Sequence, residues 1–98
     1  MMFVILGFDG PDGQARRKIH RSAHIERIER WNSRHRVILA GPLTDNVGSL
    51  IVLEADSREE VEEFVREDPY TAFGVFHRVE IHPFVQAFPT ERNESDRS

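Results

Sequence analysis

Two hydrophobic periods alternate along this chain, one of about two residues and one of about 3.6. Residues 2–9, MFVILGFD, are rich in β-branched and aromatic side chains and predict a first strand. Asp9-Gly10-Pro11-Asp12-Gly13 is a turn by composition. A helical pattern follows over about residues 14–34, where Ile25, Ile28 and Trp31 share one face at about 100° per residue. Residues 36–43, RVILAGPL, form a second apolar run. Gly41-Pro42 ends or bends it, because proline has no N–H for a sheet ladder. Residues 48–55, GSLIVLEA, predict a third strand that pairs with the second as a hairpin. Ser57 and Glu60 have the spacing of a capping box. The helix it opens carries Val61, Phe64 and Val65 at i, i+3, i+4. Asp68-Pro69 interrupts that helix, since a residue before proline is pushed out of the helical region. A short turn of helix is expected to resume over residues 70–73, before Gly74. Residues 75–88 predict a long last strand, with Val79, Ile81 and Val85 alternating with Arg78, Glu80 and Gln86. Residues 89–98, PTERNESDRS, read as a polar, disordered tail after a single domain of residues 1–88.

The order βαββαβ predicts a ferredoxin-like α+β fold, a four-stranded antiparallel sheet with two helices on one face. The other face of such a sheet is bare. Phe76, Phe84 and Phe88 are expected on it, opposite Val79 and Ile81. A homodimer through this open sheet face follows as the expected assembly.

Composition narrows the function. A chain of 98 residues holds one core and little room for a deep internal pocket. A small-ligand site is therefore expected between subunits or at a sheet edge. The formal net charge of −4 argues against a nucleic-acid partner. The basic run Arg16, Arg17, Lys18, Arg21 is short and diluted by Asp12, Glu26 and Glu29. With no cysteine there are no disulfides, thiol nucleophiles or thiolate metal sites, which fits a reducing, cytoplasmic compartment. The opening MMFVILGF is too short for a signal segment or a membrane span, so no membrane association is expected.

His24 stands among Ile25, Ile28 and Trp31, where an apolar residue is expected. Arg17 and Arg21 point the same way. Ionisable groups on a face that a helix must bury either line a cleft or need partners. An imidazole titrates near neutrality and suits proton transfer, although a hydrogen-bonded histidine at a core edge is the plain alternative. Asp68, at the helix break, is the expected partner. It would fix the imidazole tautomer, although Asp before Pro is also ordinary turn chemistry. Gly41 and Pro42 let chain or ligand approach closely, or simply make a turn. Tyr70 offers a hydroxyl or an aromatic wall to a pocket, or amphipathic packing. Asp9 is a turn cap or a second acid. His20 and His24 have an i, i+4 spacing, but residue 21 is Arg where the zinc motif has Glu, and His20 points about 40° away, so no metal is expected. GxGxxG, GxxxxGK and GxSxG motifs are absent.

Arg21-Ser22-Ala23-His24, Ala40-Gly41-Pro42-Leu43, Asp68-Pro69-Tyr70 with Gly74, and Glu80-Ile81-His82-Pro83-Phe84 together resemble the YciI-like (YCII-related) proteins. The resemblance spans about residues 2–88 and rests on the combined order of R-x-x-H, AGPL and DPY; each piece alone is weak. The opening strand FVILGFD fits as well. One departure is His35-Arg36, where a glycine is expected before the second strand. The resemblance implies a dimeric ferredoxin-like fold with a His–Asp pair in a cleft, which falls by position on His24 and Asp68. One relative is a dehydrochlorinase acting on a chlorinated hydroxyquinol, so the resemblance implies general acid–base work on a small hydroxylated or chlorinated ring compound. The resulting expectation is a small enzyme without a cofactor. His24 and Asp68 would be its catalytic pair, with Arg21 and Arg17 on an anionic or phenolate oxygen and Gly41, Pro42 and Tyr70 around the substrate. A metabolite-binding or regulatory dimer without turnover, and a purely structural dimer, are the competing readings.

Overall fold

In the computed structural model, residues 1–89 are described. Past Pro89, the tail expected at 89–98 lies outside them. The elements are β1 (Met2–Asp9), α1 (Gly13–Asn32), β2 (Val37–Pro42), β3 (Gly48–Glu54), α2 (Arg58–Glu67), α3 (Pro69–Ala72) and β4 (Phe76–Phe84). The four strands make one antiparallel sheet in the order β2-β3-β1-β4, ferredoxin-like in its strand order. No helix among the described residues is long and apolar enough to cross a membrane.

Register decides which side chains meet the helices. Ile5 lies opposite Ile51 on one side and Ile81 on the other, and Phe3 lies opposite Leu53. This face packs against Val61 and Phe64 of α2 and against Ile28 and Trp31 of α1. Trp31 meets the Phe64 ring edge-on at 5.0 Å. The alternate residues Met2, Val4, Leu50 and Val52 fall on the open face.

Three expectations change. The two helices become three with the short turn expected after the break, which runs over Pro69–Ala72 because Asp68 adopts an extended ψ of 130° and divides α2 from α3. That is the conformation Pro69 imposes on its predecessor. Strand β4 stops at Phe84 rather than running to residue 88. Phe76 is not on the open face. A register shift between Phe8 and Asp9 turns it inward, where it packs with Tyr70, Val75 and Val79. Gly7 makes room for its ring, since a Cβ there would lie 2.5 Å from the Phe76 Cε2.

The departure at His35 also has a physical reading. His35 has φ 61°, the left-handed region that favours glycine, in the turn that leads from α1 into β2. Histidine is among the residues that tolerate this conformation best.

Candidate active site

Helix α1 buries only Gly13 and His24 among its 20 residues. Its one well-buried side chain is thus an imidazole, 7% exposed. Ile28 and Trp31 pack against the core only partly buried. Burial of this kind requires hydrogen bonding, and Asp68 supplies it.

Asp68 is 2% exposed. His24 Nδ1 lies 2.8 Å from its Oδ1 and 3.0 Å from its Oδ2. The Tyr70 backbone N–H donates to the same Oδ1 at 2.9 Å, so the carboxylate also caps α3. Turn chemistry and histidine partnership are therefore both roles of one side chain. An ionised carboxylate only accepts, so Nδ1 carries the hydrogen and the neutral ring keeps its lone pair on Nε2. Nε2 has no hydrogen-bond partner among the described residues. The Tyr70 ring stacks on the imidazole at 3.8 Å and 3°, and the Phe76 ring meets Tyr70 edge-on at 5.6 Å. The imidazole is thus held by hydrogen bonds at one edge and by an aromatic face. Burial pushes the Tyr70 hydroxyl up from its ordinary value, opposed by the charges of Arg17 and Arg21.

The two arginines differ. Arg17 donates through Nε to Asp9 Oδ2 at 2.7 Å and through Nη2 to Asp9 Oδ1 at 2.9 Å. Nη2 also donates to Ser49 Oγ at 2.8 Å. The hydrogen bond to Asp9 raises the guanidinium above its ordinary value, and the group lies 5.0 Å from the centre of the Tyr70 ring. Asp9 thus anchors Arg17 and does not itself line the cavity beside His24. Arg21 makes no hydrogen bond or ion pair among the described residues.

These groups surround a cavity of about 140 Å³. Arg17, Arg21 and His24 line it from α1, with Ile25 and Ile28 beside them; Ala40, Gly41 and Pro42 line it from β2. Ser49 and Ile51 line it from β3, and Tyr70 from α3. Since β2 is an edge strand, the cavity sits at a sheet edge. Gly41 takes part through its backbone. It pairs with Leu50 on the open face, and a Cβ there would meet nothing within 4 Å, so the cavity does not require a glycine. Larger hollows, of about 480 and 430 Å³, are lined by Phe84, Gln86 and mainly apolar neighbours away from His24.

His20 stays outside, stacked on Phe73 at 4.4 Å. Among the described residues no group of three His, Cys, Asp or Glu side chains could hold a metal ion. Ser49 was not singled out from the sequence. The strand period carries the signal, because residue 49 shares the inward face with Ile51 and Leu53 and is the polar member of that series.

The YCII-related domain matches residues 1–85 of the chain. Protein YciI of Escherichia coli O6:H1 is 31% identical over 98 residues, covering 90% of this chain and 100% of YciI. YciI of Shigella flexneri matches with the same identity and coverage. Among solved structures, the 5-chloro-2-hydroxyhydroquinone dehydrochlorinase TftG of Burkholderia phenoliruptrix, in complex with 2,5-dihydroxybenzoquinone, is similar with a TM-score of 0.79. It is 28% identical, and the match covers 89% of this chain and 96% of that one. With the domain matched over residues 1–85 and YciI aligned over its full length, the chain belongs to the YCII-related family.

Proposed function

We propose that this protein is a small-molecule enzyme in which His24 moves protons on a hydroxylated ring compound, chlorinated rings included, using its own side chains and no cofactor. One observation carries the reading: His24, buried and paired with Asp68 behind it, borders a cavity of ring size. Elsewhere, an engineered apolar cavity of about 150 Å³ accepts benzene. The similarity to a dehydrochlorinase solved with a dihydroxybenzoquinone supports the choice of ring.

The chemistry follows from the tautomer. Neutral His24 takes a hydroxyl proton on Nε2 and returns it to the chlorine-bearing ring carbon, which converts the phenol to its keto form. A second hydroxyl proton then passes to Nε2. The electron pair it leaves behind flows through the ring and expels chloride, and the net loss is one HCl. In each imidazolium state Nδ1–H still faces Asp68, whose charge stabilises the cation. His24 is the catalytic base and acid, and Asp68 positions it. Arg17 and Arg21 stabilise the phenolate oxygen as charge develops. Pro42 and Tyr70 shape the walls. The proposal includes a homodimer joined through the open sheet face, supported by the exposure of Ile38, Leu39 and Phe84.

Chloride release from 5-chloro-2-hydroxyhydroquinone tests the reading. His24→Ala should lower turnover about 10²–10⁴-fold. Undiminished turnover in that variant would remove His24 from the chemistry. Binding of 2,5-dihydroxybenzoquinone with no chloride release by the wild type would favour a metabolite-binding module instead.

A further inference from the structure

The cavity beside His24 shares Arg17, Arg21, Pro42 and Tyr70 with a second recess of about 240 Å³. The outer wall of this recess is the turn between β2 and β3, through Leu43, Asn46 and Gly48. That turn is built rather than loose. Leu43 N–H donates to Gly48 O at 2.8 Å, and Asn46 N–H donates to Leu43 O at 3.0 Å. No carboxylate lines the recess. Of the two cations at the waist, Arg17 is matched by Asp9 through two hydrogen bonds. Arg21 has no counter-ion among the described residues, so its charge is the unbalanced one. The inner cavity, of about 140 Å³, is the smaller of the two, and the outer recess, of about 240 Å³, is lined by Arg21 as well.

We infer that the substrate is a ring with a short acidic side arm: the ring lies in the inner cavity beside His24, and a carboxylate at the end of the arm pairs with Arg21 in the outer recess. This rests on the proposed function for the position of the ring. It goes further by making the arm a determinant of specificity, with Arg21 on the arm's carboxylate and Arg17 left to the phenolate oxygen. A guanidinium pairs with a carboxylate through charge-assisted hydrogen bonds, whereas an amide of the same shape offers one neutral acceptor. Discrimination between the two is therefore the signature of Arg21.

Calorimetric titration of the full chain with 3-(2,5-dihydroxyphenyl)propanoate and with its primary amide tests the inference. The acid should bind about tenfold or more tightly than the amide. In Arg21→Gln, checked for native circular dichroism, that ratio should fall to about one. Equal affinities in the wild type, absence of binding by both probes, or a ratio that survives Arg21→Gln would each overturn it. Chloride release from the unarmed chlorinated ring is a separate readout. If that depends on His24 while acid and amide bind equally, the side arm fails alone. If the acid is preferred while His24→Ala keeps full turnover, the acid–base reading fails alone.

Discussion

Asp68 concentrates more of the site than any other residue. Its carboxylate caps α3, holds His24 Nδ1 and is almost fully buried. Asp68→Asn keeps an oxygen that can accept from Tyr70 N–H or His24 Nδ1–H. It removes the charge that stabilises the imidazolium. The expected loss of stability in urea is about 1 kcal/mol, with turnover down about 10²-fold or more. Asp68→Ala removes the cap and leaves a buried donor unpaired, which should cost about 2–4 kcal/mol. An Asp68→Asn variant with wild-type chloride release would show that the pair is structural. Much of this geometry was legible in the sequence. The helical wheel put His24 on the inward face, and Pro69 forced Asp68 out of the helix. The direction of Gly41 was not legible, because it depends on the β2–β3 register, which shifts between Val37 and Leu39.

At the scale of an element, α2 shows how a local motif becomes a tertiary anchor. Ser57 Oγ accepts from Glu60 N–H at 3.2 Å, as the capping box requires. The Glu60 side chain reaches back one residue further than expected, to Asp56 N–H at 2.9 Å. It also takes two hydrogen bonds from Arg36, at 2.8 and 2.9 Å, which join the helix start to the strand edge. Those bonds from Arg36, with the Asp56 N–H, hold the Glu60 carboxyl below its ordinary value. A depressed acid stabilises the fold above its unfolded-state value, about pH 4.3, and that contribution is lost as pH falls through the lower folded-state value. Denaturant midpoints should therefore drop below about pH 4.3 more steeply in the wild type than in Glu60→Gln. Solvent screening keeps the difference to about 1 kcal/mol or less. Equal slopes would mean the ion pair adds nothing. The capping box was legible because it is local. The inward turn of Phe76 was not, because strict alternation put it opposite Val79, and only the shift opposite Phe8 and Asp9 reverses it.

The molecule as a whole has two unlike sheet faces. Helices cover one. On the other, Met2, Val4, Leu50, Val52 and Leu39 form an apolar field, while β4 contributes the polar series Arg78, Glu80 and His82 before Phe84. Arg78 and His82 both contact Glu80, so that strip is internally paired. Leu39 and Phe84 are 51% and 46% exposed, and Phe88 lines the same groove. In the proposed homodimer this apolar field covers its own copy across a two-fold axis. Light scattering should give twice the 11.4 kDa chain mass. Phe84→Glu should give the single-chain mass, since it would put a carboxylate from each copy into the proposed apolar interface. A wild type of single-chain mass would remove the dimer. The cavity at His24 lies on the helix side of the sheet, whereas the proposed dimer uses the open side. The monomeric Phe84→Glu variant should therefore keep chloride release per chain close to that of the wild type. If turnover fell in step with dissociation, the site would need the second copy, and the division of the sheet into a catalytic face and an assembly face would be wrong.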